Sequence, residues 1–340
     1  MKKLFFLSLS TMMMMSVISC STETTDEIPN EKIIENVEDW DHIQLSITDS
    51  SKQLGKYNAL GYGYNVLGEY ANENSTTLKI IDTDKFKSEH HQRLSEENVL
   101  SHEYTENYGE DAAAYLKMIS KKVSATQQFR VYGKTIPFSS AILSNKKYDP
   151  RFIYGNYNYI VKQKRFRLNE SNELLSNYLT SNFSKDLEEK TAEQIVQKYG
   201  THVAVDIYTG SIIDMIFQAK TTNSDRENAA RIGVKTVAGT DNEIDTQSAS
   251  KNYEKKLFYK TRGGDKSLAI AGIFNLEKIT PTINFYNWQS TSTMENAVLV
   301  DFGDNGLIFL YDLVKDPAKK AELKLYIDQY INKNQVVLGS

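Results

Sequence analysis

Residues 198–211 read KYGTHVAVDIYTGS, and the pattern changes twice within that stretch. Just upstream, Thr191 with Gln194 three residues on forms a capping box, and Ala192, Ile195, Val196 and Tyr199 recur at the spacing that places apolar side chains on one helical face. Gly200 stands where a glycine ends a helix. Beyond it Val203, Val205 and Ile207 alternate with Ala204, Asp206 and Tyr208, the period of a strand, and that strand runs into Gly210 and Ser211. A helix, an immediate corner and a strand are therefore expected here.

Outward from this corner, residues 58–72 are punctuated by Gly61, Gly63 and Gly68, as a bulged strand or tight turns require. The five-residue gap from Gly63 to Gly68, with no βα pattern after it, excludes a dinucleotide fingerprint. Helices are predicted over 84–98, 111–121, 174–183 and 317–331, the last with Ala321, Leu325, Ile327, Tyr330 and Ile331 on its apolar side. The tyrosine-rich run 152–168 predicts a strand. In 126–143, Phe129 and Val131 alternate with polar neighbours, and after a slip Ile136 and Phe138 continue on the other face. Such a segment is a bending strand or one with two structures. Residues 219–256 are polar, with Ile232, Val234, Val237 and Ile244 as their main large apolar residues, and are too long for a bare loop. Strands and helices interleave without a fixed repeat, so the fold class is α+β.

The 340 residues are 40% hydrophobic and 25% charged, a globular composition. Lys2 and Lys3 precede an apolar run from Leu4 to Ile18, the arrangement of a secretory leader. At fifteen residues the run is short of the roughly 20 that a membrane span needs. Val17, Ile18 and Ser19 before Cys20 have the pattern of a lipobox, which makes Cys20 the expected lipidation site. Cys20 is the sole cysteine, so disulfides and thiolate metal sites are excluded. Loss of residues 1–19 leaves 38 basic against 44 acidic residues, a formal charge near −6, which argues against nucleic acid as a partner. The expected organisation is a leader over 1–19, an acidic polar tether over 20–54 and one domain over 55–340. The protein is expected to be exported, to the outer membrane, the cell surface or the medium.

No catalytic constellation is visible. There is no G-x-S-x-G, H-E-x-x-H or P-loop, and His202 has no nucleophile at a telling spacing. His90, His91 and His102 lie among glutamates and are read as exposed residues of charged helices rather than metal ligands. His202 is read as a structural histidine at the corner. No enzyme activity, cofactor or metal is expected.

The opening stretch resembles the signature of the membrane attack complex/perforin (MACPF) family: Tyr-Gly-Thr-His, an aromatic or apolar residue, six residues, then two glycines. Tyr199, Gly200, Thr201, His202 and Gly210 match it, while Val203 replaces the usual aromatic and Ser211 the second glycine. The run YKTRGGD, with Gly263 and Gly264, resembles the family's later glycine pair at a bent strand. The run LGYGYNVLGEYAN resembles the entry of Bacteroidales-type secreted antimicrobial MACPF lipoproteins. The resemblance implies a MACPF/CDC-like bent central antiparallel sheet carrying two helical clusters able to become transmembrane β-hairpins. It places the clusters within about 126–159 and 219–252, with Phe129, Val131, Ile136, Phe138, Ile232, Val234 and Val237 as candidate inserting residues. Arg226, Arg231, Lys235, Asp241, Glu243 and Asp245 leave little room for a lipid-facing row in the second. It also implies that Thr201 and His202 hydrogen-bond across the corner, and that Gly210, Gly263 and Gly264 relieve crowding at the bend.

The function expected from this resemblance is an antibacterial pore former that assembles into a ring on a target-cell membrane, guided by a protein or glycan receptor. The alternative is a non-lytic surface lipoprotein that uses the fold for adhesion or glycan binding.

Overall fold

The computed structural model of the chain describes residues 42–44, 54–119, 151–239, 246–277 and 285–334. In chain order these form β1 (His42–Gln44), β2 (Tyr62–Tyr64), β3 (Thr76–Lys79), α1 (Thr83–Glu89), β4 (Leu94–Gly109), α2 (Ala112–Ile119), β5 (Phe152–Leu168), α3 (Asn172–Leu175), α4 (Ser181–Glu189) and α5 (Ala192–Tyr199). There follow β6 (His202–Ala204), β7 (Asp206–Thr221), α6 (Arg226–Ala238), α7 (Thr246–Ala249), β8 (Asn252–Arg262), β9 (Ala271–Asn275), α8 (Tyr286–Gln289), β10 (Val298–Phe302), β11 (Leu307–Phe309) and α9 (Pro317–Asn334).

Among the described residues the strands make two antiparallel sheets. The large one has the order β1-β9-β8-β7-β5-β4, with β10 also paired to β7, and the small one runs β11-β6-β2-β3. The alternation at 203–208 looks like one strand, but the chain breaks at Val205, with β6 in the small sheet and β7 in the large. The crossing is held from outside the segment. The Val205 and Asp206 N–H groups both donate to Gly306 O, at 2.8 and 3.2 Å, and Arg165 forks onto the Asp206 carboxylate at 2.6 and 2.8 Å.

The central strand β7 is covered on both faces, which is why its alternation fades beyond Tyr208. Ile212 and Ile216 point one way, and Ile213, Met215 and Phe217 the other, all of them buried. Met215, Phe217 and Ala219 pack with Ala229, Ala230 and Val234 of α6. On the opposite face Tyr154 stacks on Tyr115 of α2 with ring centroids 5.8 Å apart. A second core lies beneath the small sheet, where Tyr64, Phe183, Ile195, Tyr199 and Phe309 meet Leu323, Ile327 and Ile331 of α9.

Helix α5 forms with its capping box in place: the Thr191 hydroxyl accepts from the Gln194 N–H, and the Gln194 side chain accepts from the Thr191 N–H. Three other sequence expectations need correction. The helix predicted over 84–98 ends at Glu89, and from Leu94 the chain is edge strand β4. Most of β4 faces solvent, so its glutamates imitate a solvated helix. The helix predicted over 174–183 is split into α3 and α4, because Asp82 N–H donates to Tyr178 O (2.7 Å) and Thr180 N–H to Ile80 O (2.8 Å), pulling the intervening residues onto β3's extension. The buried seam of α9 is Leu323, Ile327 and Ile331, whereas Leu325, expected on the apolar side, is 61% exposed.

Leu323→Ala should therefore lower the unfolding free energy by about 2–5 kcal/mol, and Leu325→Ala should change it by less than about 0.5 kcal/mol. Urea unfolding of the two variants beside the parent measures both, and equal losses would contradict this seam.

Candidate functional site at the sheet bend

The corner after α5 is built from backbone contacts that tolerate no side chain. Gly200 adopts φ +76°, and a Cβ there would lie 2.6 Å from the Tyr64 carbonyl carbon. The Thr201 N–H donates to Tyr64 O (3.0 Å), and the Leu310 N–H donates to Thr201 O (3.0 Å). The Thr201 hydroxyl accepts from the Val66 N–H and donates to Tyr64 O, each at 3.2 Å. With that proton committed, the remaining lone pair of Thr201 Oγ1 accepts Nδ1–H from His202 at 2.9 Å. Nε2 is then a bare acceptor, with no hydrogen-bond partner among the described residues. The ring is fully buried, 4.3 Å from that of Phe309. Tyr199 closes the corner on its other side, donating its hydroxyl to Asp186 at 2.7 Å and packing edge-on to Phe183.

Eight residues beyond His202, β7 reaches Gly210, where a Cβ would fall 1.8 Å from Val161 O. Irregularities line up across the sheet at this level. Gln163 is unpaired in β5 between Lys162 and Lys164, Val99 and Leu100 are extra in β4, and Val300 is extra in β10. Beside them β8 ends at Arg262, and Gly263 and Gly264, at φ +72° and +70°, carry the chain away. A Cβ on Gly263 would meet Gly210 O at 2.5 Å. The row lets β7 pair with β10 through Val298↔Gly210 and with β8 from Ile212↔Arg262. It is the bend of the sheet, since bulges kink and twist strands. The α8 segment is tied to it: Trp288 Nε1–H donates to Gly263 O at 2.7 Å, the Gln163 amide donates to Ser292 O, and Ser211 pairs with the Ser292 hydroxyl.

Beyond the bend, four neighbouring strands run to one end of the sheet, where Gly109, Phe152, Lys220 and Asn252 lie. There α6 rests on the sheet through small residues. A Cβ on Gly233 would strike the Phe217 ring at 2.1 Å, and one on Gly155 would come 2.5 Å from Val234 Cγ2. Asp225 and Gly239 cap the helix. It is further tied by Asn252 Nδ2–H to Ala229 O (2.9 Å) and by Arg226 to the carbonyls of Glu110 and Arg151 (2.9 and 3.1 Å).

The opposite face holds a buried carboxylate. Asp214 receives the Asn158 amide, and its Oδ2 stands 3.8 Å from Arg262 Nε. Arg262 itself donates to the carbonyls of Ala71 (2.6 Å) and Leu299 (3.1 Å). Burial pushes the Asp214 carboxyl up to about 6 against the pull of Arg262, and burial pushes His202 down to about 3.

These two groups act on stability with opposite sign. The pKa of His202 is lower in the folded chain than its ordinary 6.5, so the unfolded chain binds the extra proton and stability falls as pH drops from about 6.5. For Asp214 the folded value lies above the ordinary 3.8, so the folded chain binds the proton and stability rises as pH drops from about 6 to 4. By pH 4 the effect amounts to about 3 kcal/mol for His202 and about 2 kcal/mol for Asp214. Asp214→Asn should make the protein more acid-labile, and His202→Leu should make it less so. Urea unfolding at pH 7.5 and pH 4.5 checks this, and an unchanged pH difference in either variant would refute that group's part.

The structure gathers Gly210, Ser211, Gly263 and Gly264 at the bend and Tyr199 to His202 at the corner that leads to it. Val234 is buried against the sheet, with Ile232 and Val237 half-buried on the same helix. Cys20, Phe129, Val131, Ile136 and Phe138 lie outside the described residues. Residues 152–159, counted with the first cluster, are the beginning of β5 and already sheet, while the helix that packs there is α2, further upstream. His102 is on strand β4 rather than a helix, with Nδ1 2.6 Å from the Tyr159 hydroxyl. The sequence reading missed Gln163 and Val300, which carry no local bulge signal. It also missed Asp214, Arg262 and Trp288, whose roles come from strands distant in sequence.

The MAC/Perforin domain family matches residues 53–337. A MAC/Perforin-domain protein from Bacteroides thetaiotaomicron VPI-5482 has a similar structure, with a TM-score of 0.66 at 17% identity over 86% of this chain and 64% of its own. GNIP1Aa from Chromobacterium piscinae is similar at a TM-score of 0.63 and 15% identity, over 82% of this chain and 56% of its own. The chain thus spans less than two thirds of either protein. No curated protein matches the sequence. By a family match that takes in the small sheet, the bend of the large one, the corner and α9, the chain belongs to the MAC/Perforin domain family.

Proposed function

We propose that this is a pore-forming protein that assembles into a ring on a target membrane and inserts β-hairpins from the two connections at the end of its large sheet. The observation that carries this is a mismatch of length. Antiparallel neighbours can be joined by two residues, yet 42 residues separate β4 from β5 and 30 separate β7 from β8. Both connections leave from the same end of the sheet. A membrane strand needs about 9–11 residues, so each connection can supply two strands and a turn, and a closed barrel satisfies every backbone group in lipid.

The charges that crowd the second connection also fall into order. From 228 to 252 every even-numbered residue is uncharged, whereas Arg231, Lys235, Asp241, Glu243, Asp245 and Lys251 are all odd. As a helix these positions scatter around the axis. As strands they place an uncharged row that includes Ile232, Val234 and Ile244 on one face and all the charge on the other. In the folded chain α6 buries chiefly alanine, glycine and one valine, so little apolar area holds it to the sheet.

The leader, Cys20 and the acidic tether support export as a lipoprotein to the outer membrane, the cell surface or the medium, with other bacteria as the target and a surface protein or glycan as receptor. A non-lytic adhesin is the second reading. It is favoured by Tyr104, 72% exposed and stacked on Tyr157 at 6.4 Å, since exposed aromatics commonly supply binding surfaces.

Two measurements test the proposal. Purified protein should admit a membrane-impermeant DNA dye into some bacterial strains of a panel; binding to strains without dye entry in any would favour adhesion. Gly155→Cys with Val234→Cys, in a Cys20→Ser background, should form a disulfide that holds α6 on the sheet. The oxidised protein should bind but lose at least about tenfold in dye entry, and reductant should restore it, because a bridge of this kind holds the helix against the strand. Undiminished entry in the oxidised form would exclude unfurling of this segment.

A further inference from the structure

One face of the large sheet carries four tyrosines on strands β4 and β5. The register opposes Tyr104 to Tyr159 and Glu106 to Tyr157, so these side chains share a face with His102 and Tyr108, which lie two residues further toward either end. Helix α6 reaches this face at one end, with Arg231 5.4 Å over the Tyr108 ring. The α8 segment reaches it at the other, where the Phe285 and Tyr159 ring centroids are 6.2 Å apart. Between the two, Tyr104 stacks on Tyr157 with the ring planes 17° apart and is itself 72% exposed. His102 beside it is exposed as well, and its tautomer is set from behind. The Gln289 amide donates to the Tyr159 hydroxyl at 2.7 Å, and that hydroxyl donates to His102 Nδ1 at 2.6 Å. The neutral imidazole then carries its proton on Nε2, as an outward donor.

We propose that this strip, with Tyr104 as its platform and His102 and Glu106 as its polar edges, is a docking site for a neutral cell-surface polysaccharide. The inference rests on the receptor invoked above and gives that receptor a chemical class and a place on the fold. A pyranose presents a face of C–H bonds, which the negative face of an aromatic ring attracts, and a rim of hydroxyls that need donors and acceptors. His102 lies about 7 Å along the strand from Tyr104, and Glu106 as far on the other side, so both reach the hydroxyls of a sugar stacked on that ring. The strip is two strands wide, about 10 Å, and about 20 Å long from His102 to Tyr108. That holds a few sugar units but falls well short of the roughly 800 Å² per partner that a protein interface covers. Charge argues against an acidic chain, because Glu106 faces the strip beside Tyr108 and Tyr157 and Arg231 is paired with Glu227 at 4.0 Å. A single shallow site binds weakly, but copies gathered on a repeating polymer gain avidity.

The chain from residue 20 onward, carrying Cys20→Ser, is applied to an array of neutral and acidic surface polysaccharides extracted from the strains of the panel, with dye entry into the same strains read separately. The parent should bind at least one neutral polysaccharide. Tyr104→Ala should lose at least about tenfold in that binding, the cost of truncating an aromatic anchor. His102→Ala should lose about threefold to tenfold, the worth of one hydrogen bond. Tyr104→Phe keeps the ring and should stay within about threefold of the parent. Because both side chains are exposed, all three variants should unfold in urea at the parent's midpoint. The inference is overturned if the parent binds none of the polysaccharides, if it binds acidic ones alone, or if Tyr104→Ala binds as the parent does. Binding to cells but to none of the polysaccharides that they carry would point to a protein receptor and overturn it equally. Binding in the expected pattern without dye entry would sink the pore reading and leave the docking site standing; dye entry with binding indifferent to Tyr104 would do the reverse.

Discussion

The approach of Gly210 to the Val161 carbonyl is the constraint around which this molecule is arranged. No side chain fits there, since even a Cβ would fall 1.8 Å from that oxygen. On either side β4, β5 and β10 each carry unpaired residues at the same level, and β8 leaves the sheet through two glycines in the left-handed region. A bulge in one strand alone would break a ladder; a row of them bends the whole sheet while each ladder resumes beyond it. β7 can then give its first half to β10 and its second to β8. Trp288 donates to Gly263 O and Ser292 O accepts from the bulge residue Gln163, which ties the segment after β9 to the bend.

Beyond the bend, α6 is held to the sheet by small side chains. Below it, the small sheet, α5 and α9 share a core of large side chains with the corner locked into backbone groups of β2. Above it, α6 touches the sheet through Ala229, Ala230, Gly233 and Val234. Contacts between small residues bring backbones close but bury little apolar area, and elements of that kind open at low free energy. Asp214 adds a tension of its own, because a carboxylate inside the sheet with an imperfect partner at Arg262 is costly in its charged form.

Some of this was legible in the chain before any coordinates. Helix α5 was readable because its signals are local: the Thr191 cap, four apolar residues at helical spacing and Gly200 all lie within ten residues. The glycines at 210, 263 and 264 were assigned to crowding through the family resemblance; Gly210 lies within β7 and the other two just beyond β8. β4 was not legible, because an exposed edge strand and a solvated helix have the same composition when one neighbour supplies all the pairing. The break at Val205 was hidden by an alternation that continues unperturbed across it; the residues that enforce it, Arg165 and Gly306, are distant in sequence. The parity of charge in 228–252 was present in the sequence throughout, but it acquires meaning only once these residues are seen to join two neighbouring strands.

The sequence by itself therefore determined the α+β class, the helix-corner-strand unit and the family signature, because each depends on residues within a turn or two of one another. Tertiary structure alone decided where the sheet bends, which strand changes sheets and which edge is covered, because those outcomes depend on pairing between strands tens to hundreds of residues apart. Val161 meets Gly210, Arg262 meets Asp214 and Ile43 meets Ile273 only after the chain has folded. No local propensity encodes such a meeting, since a strand's own residues set its alternation but not its partner or register.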